Sequence, residues 1–152
     1  GKGRFTDVGK NVSDYFSTKR SGRGLAVWDF DNDGDMDVVI SHVDLQASAA
    51  LLRNEGGNNN NWIGLTLEGE HGPASGIGAK ITVISQGKTQ VLVNQWTTGY
   101  LSNKEPRVHA GLNKADKVDQ LKIKWPDGKE EVFTDIKANQ YLRVIKGKGI
   151  VD

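Results

Sequence analysis

The chain has 152 residues, of which 36% are hydrophobic and 26% are charged, and its formal net charge is +1. This size allows one domain or two small ones, and the near-neutral charge argues against a general nucleic-acid-binding protein, because no basic excess is available for phosphates. No apolar run approaches the roughly 18 residues of a membrane-spanning helix, and the absence of cysteine excludes disulfides and cysteine-ligated zinc sites.

The first part of the chain predicts three short strands. Residues 25–28 lead into a run of aspartates, residues 38–40 leave it, and residues 49–52 follow after a polar gap. Residues 5–8 are a further candidate strand. Residues 9–24 show no clear period and are expected to form a loop containing one helical turn.

A stretch rich in glycine and asparagine at residues 56–61 predicts a hinge between two domains, 1–57 and 58–152. Beyond it, apolar and polar residues alternate in the segments 63–67, 79–83, 89–95, 121–125, 129–133 and 141–145. Period-two alternation separated by turn signals predicts an all-β fold, an antiparallel sandwich or barrel with one solvent-facing side per strand. The lysines at outward positions are of the kind that discourages edge-to-edge pairing of sheets.

Residues 29–37 read DFDNDGDMD, and their carboxylates belong to Asp29, Asp31, Asp33, Asp35 and Asp37. Two neighbouring carboxylates about 6 Å apart repel each other by roughly 3 kcal/mol at an effective dielectric constant near 20. A divalent cation turns this repulsion into attraction. Calcium suits the loop because it takes six to eight oxygen ligands in a flexible geometry, whereas magnesium demands a stricter octahedron.

The spacing of the aspartates also predicts a calcium loop. The expected ligands are the side chains of Asp29, Asp31, Asp33 and Asp37 and the backbone carbonyl of Asp35. Gly34, at position 6 of the loop, permits the sharp turn. An EF-hand would have glutamate at position 12 and a helix on each side. Because position 12 is Ile40, within a strand pattern, we expect a β-hairpin loop instead.

The aspartates allow two other interpretations. One is a solvated acidic turn. The other is a catalytic carboxylate pair, as in glycosidases or phosphatases, but nothing in the sequence suggests an acid of raised pKa in an apolar pocket. The histidines His42, His71 and His109 are scattered and lack the spacing of metal ligands.

Trp96 and Tyr100, separated by two threonines and a glycine, form a candidate platform on which a sugar would stack. The alternative is that both rings pack at a corner of the fold. The remaining tryptophans lie at predicted strand ends and are expected to be packing residues; they are Trp28, Trp62 and Trp125.

Residues 24–28, the following DFDNDGDMDVVIS, and the LLRN at residues 51–54 together resemble an FG-GAP (VCBS-type) repeat. Such repeats form blades of calcium-binding β-propellers, as in integrin α-chains. The resemblance implies the same ligands as the spacing, with Asp29, Asp31, Asp33 and Asp37 binding calcium by side chain and Asp35 by its carbonyl.

From about Asn61 onward the chain is similar to the ASPIC/UnbV domain, which usually follows such repeats. The matching stretches are NWIGL at 61–65, GIGA at 76–79, GYLS at 99–102, RVH at 107–109, KWPDG at 124–128 and ANQ at 138–140. One departure is AGLN at 110–113, where an aromatic residue and a glycine are more usual, and this is expected to affect packing only.

Together the resemblances imply a C-terminal piece of a larger extracellular, periplasmic or cell-surface protein. A propeller needs several blades, and the chain has one, so the preceding blades are expected partners. A lone blade buries little surface and is expected to pack on the second domain or on a neighbouring chain. The expected function is non-enzymatic, calcium-stabilised binding or adhesion with a protein or glycan partner. The alternative is a carbohydrate-binding accessory domain of a secreted hydrolase.

Overall fold

A computed structural model describes residues 3–44, 48–56, 59–99 and 102–151. Its described helical elements include α1 (Gly9–Val12) and the 3₁₀ turns Asp14–Ser17 and Pro73–Gly76. Its strands are β1 (Gly22–Trp28), β2 (Asp37–His42), β3 (Ala50–Leu52), β4 (Asn61–Glu68), β5 (Lys80–Ser85), β6 (Lys88–Val93), β7 (Thr97–Gly99), β8 (Ser102–Asn103), β9 (Val108–Asn113), β10 (Lys117–Lys124), β11 (Glu130–Lys137), β12 (Gln140–Ile145) and β13 (Gly149–Val151).

The first three strands form an antiparallel sheet in the order β1-β2-β3. Its register places Trp28 opposite Asp37, so the aspartate run is the loop of a β-hairpin. The short helical segment before β1 lies against the sheet, where the Tyr15 hydroxyl is 2.8 Å from His42 Nε2. The expected hairpin context of the aspartates is therefore present.

The second part of the chain contains two four-stranded sheets, ordered β11-β10-β5-β6 and β13-β12-β4-β9. All their pairings are antiparallel except that of β12 with β4, which is parallel. Both sheets contribute to one apolar core, whose fully buried members include Ile63, Leu65, Val144, Ile81, Val83, Leu121 and Ile123. A sheet buries one face in such an arrangement and leaves the other to water, and the predicted all-β sandwich is confirmed.

The six segments predicted from alternation all coincide with strands, whereas the candidate strand at residues 5–8 is wrong. Residues 3–8 form no strand, and the Phe5 side chain is 97% exposed. No described strand lies beside this segment to accept its hydrogen bonds, and a strand without a paired neighbour is not stable in water. Among the described residues, no helix is long and apolar enough to cross a membrane.

Candidate metal centre

The aspartate loop joins β1 to β2, and the pairing of these strands brings its two ends together. Asp29 directly follows β1, and Asp37 is the first residue of β2. Between them Asn32 and Gly34 have φ angles of 61° and 96°. These left-handed conformations, which glycine and asparagine tolerate best, fold the loop back over its own ends.

Three carboxylates converge within this loop. Asp29, Asp31 and Asp37 each offer one oxygen, and these oxygens lie within 4.8 Å of one another. Calcium binds oxygen at 2.3–2.6 Å, so two of its ligands on opposite sides of the ion are separated by about twice that distance. Asp29 and Asp37 are buried, whereas Asp31 faces solvent. The donor set and its dimensions therefore fit a calcium ion with an open, solvent-facing side.

Backbone amides hold the two buried carboxylates in place. Asp29 accepts from Asp33 N at 3.1 Å and from Gly34 N at 2.8 Å. Asp37 accepts from Phe30 N at 2.9 Å and, across the sheet, from Asn54 N at 2.7 Å. These four hydrogen bonds fix the orientation of both carboxylates within the loop.

The other two aspartates lie outside this group of three. Asp33 accepts a hydrogen bond from the backbone amide of Asp35 at 3.0 Å, and the side chain of Asp35 is 3% exposed. At the solvent-facing edge, Arg53 lies 3.3 Å from Asp31. The structure thus brings together three of the five residues expected from the sequence, and the roles expected for Asp33 and Asp35 stay predictions.

The loop packs on the outer face of the sheet β13-β12-β4-β9. Gly34 sits against the indole of Trp62, and a Cβ at this glycine would lie 1.7 Å from Trp62 Nε1. His109 Nε2 donates to the Gly34 carbonyl at 3.0 Å, and its ring stacks on Trp62. The lack of a side chain at Gly34 therefore permits both the turn of the loop and its close approach to the sheet.

Tyr141 connects this sheet to the carboxylates of the candidate metal site. Its hydroxyl donates to Asp29 Oδ2, and its ring occupies the space where a Cβ of Gly64 would be, 2.1 Å from ring carbon Cδ1. Burial raises the pKa of the Tyr141 hydroxyl, and the hydrogen bond to Asp29 adds to the shift. The hydroxyl therefore stays protonated and acts as a fixed donor.

Arg107 completes the contact between loop and sheet. Its guanidinium donates to Asn32 Oδ1 at 2.7 Å and to the Asp29 carbonyl at 2.9 Å, and it lies 3.9 Å from the centre of the Tyr141 ring. Glu105 forms an ion pair with Arg107 and accepts from Asp29 N at 3.3 Å. A planar fork of donors on an aromatic face is an arrangement that lysine cannot reproduce.

Residues 69–151, more than half of the chain, match the family described as ASPIC and UnbV. The chain belongs to this family. The chain is 33% identical to human (Homo sapiens) cartilage acidic protein 1 over 121 residues, which are 78% of the chain and 18% of that protein. The chain is 33% identical to cartilage acidic protein 1 of Xenopus tropicalis over 126 residues, which are 82% of the chain and 19% of that protein. Its identity to the Mus musculus protein is 31% over 121 residues, which are 78% of the chain and 18% of that protein.

The chain spans about a fifth of the length of these curated relatives. The family match begins at Gly69, and residues 69–152 make up little more than half of the chain. The similarity to the relatives covers more than three quarters of it, so it extends into the residues before Gly69. The resemblance of the hairpin to an FG-GAP repeat stays a prediction.

The sugar platform expected from Trp96 and Tyr100 stays a prediction. Trp96 is partly buried, and its carbonyl accepts from Lys104 N at 2.7 Å, closing the ribbon of β7 and β8. Tyr100 lies outside the described residues. By contrast, Trp62 and Trp125 are 8% and 1% exposed, which confirms that they are packing residues.

Sequence reasoning missed the residues that receive the loop. The spacing of His109 does not predict a metal ligand, and in the structure its ring donates to the loop backbone rather than to the candidate metal position. Arg107, Glu105 and Tyr141 were not singled out for any role at the loop. They lie 76 to 112 positions after Asp29, and no local periodicity reports contacts at such separations.

Proposed function

We propose that this chain is a calcium-binding, non-enzymatic module of an extracellular protein that acts in binding or adhesion. The convergence of Asp29, Asp31 and Asp37 oxygens within 4.8 Å at the end of a β-hairpin carries the proposal. Three carboxylates this close together repel one another, and a bound cation would neutralise that repulsion. Calcium supplies no reaction chemistry in this proposal and acts by fixing the loop.

The contacts around the loop indicate what calcium binding would stabilise. The loop residues that position the ligands also contact the second sheet, since Asp29 meets Tyr141 and Arg107 while Gly34 meets Trp62. Ordering the loop would therefore also order its junction with the sandwich. A ligand that binds only the folded state stabilises it by mass action, by about 2.7 kcal/mol at 100 times its dissociation constant.

The open side of the site supports an extracellular setting. Extracellular calcium modules have dissociation constants of about 10⁻⁴ to 10⁻³ M, and a site with one solvent-exposed carboxylate needs no higher affinity to be filled there. The chain is similar to proteins named cartilage acidic protein 1, and we propose an extracellular location for it on the basis of that similarity.

We further propose that the three-stranded sheet is one blade of a larger propeller, as the FG-GAP resemblance implies. Both faces of this sheet carry apolar side chains. Leu25 on one face is 55% exposed and Leu51 on the other is 42% exposed. The relatives are more than four times as long as the chain, which leaves room for further blades. Protein or glycan partners would bind to the assembled protein.

Thermal unfolding in calcium and in a chelator tests the metal site. Wild type should melt at a higher temperature in calcium, and the shift should grow with calcium concentration. Asp31→Asn should lose most of this response, whereas Asp116→Asn, which removes an exposed carboxylate of the sandwich, should keep it. Equal melting temperatures of wild type with and without saturating calcium would refute the proposal.

A further inference from the structure

A group of lysines occupies the outer face of the sheet β11-β10-β5-β6. Lys80 on β5 lies directly opposite Lys124 on β10, and the next outward pair is Thr82 with Lys122. Glu130 on β11 lies opposite Lys124. These five residues line a shallow concavity of about 310 Å³, which we call the lysine face.

The lysine face is only partly neutralised. Lys122 forms an ion pair with Glu130 at 2.7 Å, but neither Lys80 nor Lys124 has a carboxylate within 4.0 Å among the residues that the structure describes. Some other basic side chains of the sandwich are paired; examples are Lys117 with Asp135, Lys146 with Asp127 and Arg143 with Glu68. Like charges directly opposite each other destabilise a sheet, so this pair calls for a compensating role.

Protection of a sheet edge does not supply that role. The sequence suggested that outward lysines discourage edge-to-edge pairing, but β5 and β10 are the two inner strands of this sheet. The edge strands β6 and β11 instead present valines beside the lysines. Val91, Val93 and Val132 are 54%, 42% and 51% exposed, and the register places them opposite Thr82, Lys80 and Lys122.

The lysine face also lies on the free side of the sandwich. The aspartate hairpin packs on the outer face of the other sheet, through Trp62, His109 and Tyr141. The two outer faces point in opposite directions because the sheets share one core between them. Further domains attached through the hairpin would therefore leave the lysine face accessible.

We propose that the lysine face binds a sulfated polysaccharide. Ammonium groups act as point charges for anionic groups, and their spacing of about 5 Å across the strands and about 7 Å along one strand matches a flexible polymer with repeated charges. The valine methyl groups offer an apolar surface to the C–H faces of sugar rings. Thr82, on the same face, is available to sugar hydroxyl groups.

The same features disfavour other polyanions. Single-stranded nucleic acids are held largely by stacking on aromatic rings, and the residues of the lysine face and its flanking valines include no aromatic ring. Arginine, which recognises phosphate with two parallel hydrogen bonds, is also absent from these residues. A membrane surface is disfavoured because the flanking side chains are short valines rather than the Trp, Phe and Leu of interfacial helices.

Binding of a heparin octasaccharide to the full chain, measured by titration calorimetry in a chelator, tests the proposal independently of calcium. Each lysine contact that releases a counterion contributes about −0.7 to −0.9 to the slope of log K against log salt, so wild type should give a slope of about −2 to −3 between about 50 and 200 mM salt. Lys80→Gln combined with Lys124→Gln should reduce the slope to about −1 and weaken binding by about tenfold or more at low salt.

The matched control combines Lys88→Gln with Lys137→Gln, which removes the same charge at the opposite end of the same sheet. This variant should bind like wild type, and the desulfated octasaccharide should not bind. Equal losses in both double variants would show a general charge effect and overturn the proposal. Tighter binding of an oligonucleotide of equal charge, or of anionic phosphatidylserine vesicles, would overturn it as well.

A stability measurement checks the argument from repulsion. Because Lys80 and Lys124 lie opposite each other on neighbouring strands, Lys80→Gln combined with Lys124→Gln should melt at or above the temperature of wild type. A lower melting temperature would show that the pair stabilises the fold, and it would remove the reason for assigning the lysines a ligand. Failure of the calcium site would leave this result unaffected.

Discussion

Replacing Asp31 with asparagine should change the stability of the protein in opposite directions with and without calcium. The oxygens of Asp29, Asp31 and Asp37 lie within 4.8 Å of one another, and two unit charges at that distance repel by about 3.5 kcal/mol at an effective dielectric constant near 20. Asp31 takes part in two of the three pairs. Its side chain is 27% exposed and lies 3.3 Å from Arg53, so water and the arginine reduce the repulsion.

We expect Asp31→Asn to stabilise the calcium-free protein by about 1–2 kcal/mol, because the surface ion pair with Arg53 that is lost contributes at most about 1 kcal/mol. For a chain of this size this is a rise of about 2–8 °C in melting temperature. In saturating calcium the order should reverse, because the variant lacks one ligand. The assay is thermal unfolding followed by circular dichroism, with Asp116→Asn as the control.

The reversal is what distinguishes a metal site from an acidic turn. A solvated turn would show the gain in stability without calcium and no reversal when calcium is added. A purely structural role of Asp31 would show a loss of stability under both conditions. Either result would refute the assignment of Asp31 as a calcium ligand.

Three further predictions concern the junction between loop and sandwich. Gly34→Ala should destabilise the protein by about 3 kcal/mol or more, because the new Cβ would overlap the indole of Trp62 at a φ of 96°. The control is Gly111→Ala, which has open space around it and should change the melting temperature little. Similar effects of the two substitutions would contradict the packing. Tyr141→Phe should lower the free energy of unfolding by about 1.5–3 kcal/mol, because it removes the hydrogen bond to a charged carboxylate and keeps the ring. Chemical denaturation measures this loss. An unchanged midpoint of denaturation would argue against the hydrogen bond. Burial lowers the pKa of His109 below its ordinary value of 6.5, so the unfolded chain takes up the proton first, and stability present above about pH 6.5 should decline as the pH falls towards the lower folded pKa. His109→Gln should flatten this decline in urea denaturation series in a chelator between about pH 7.5 and 5, and an equally steep decline in the variant would assign it to other groups.

The parts of the fold that depend on local sequence were predictable. Alternation in residues 63–67 and 121–125 locates β4 and β10 within a few residues, because period-two burial is a property of each strand alone. The aspartates Asp29, Asp31 and Asp37 lie within nine positions of one another, so a single hairpin suffices to bring them together. Neither inference required knowledge of distant parts of the chain.

Other elements were missed for physical reasons. In β9 the residues Val108, Ala110 and Leu112 are buried in alternation, but Ala110 and the exposed Gly111 beside it are both depleted in strands, which weakens the signal. The candidate strand at residues 5–8 has the right composition and no neighbour with which to pair. The parallel pairing of β12 with β4 joins segments nearly 80 positions apart, which no local pattern specifies.

In the candidate metal site, too, only the features that depend on local sequence were predictable. Its carboxylates were predicted from spacing, whereas the surface that receives the loop was not. Trp62 was expected to pack, but nothing indicated that it packs against Gly34, because the pair is joined only through the tertiary fold. Contacts of this kind are the ones that the proposed mutations at Gly34 and Tyr141 examine.

The bond between Tyr141 and Asp29 spans 112 positions of the chain, and this has a consequence for biosynthesis. At about 5–20 residues per second, a ribosome needs roughly 6–22 s to proceed from the aspartate hairpin to the strand that carries Tyr141. During that interval the hairpin has emerged without the surface on which it later rests. Docking of the loop therefore has to follow synthesis of the last strands, and substitutions such as Tyr141→Phe should lower the yield of folded protein through late steps of folding.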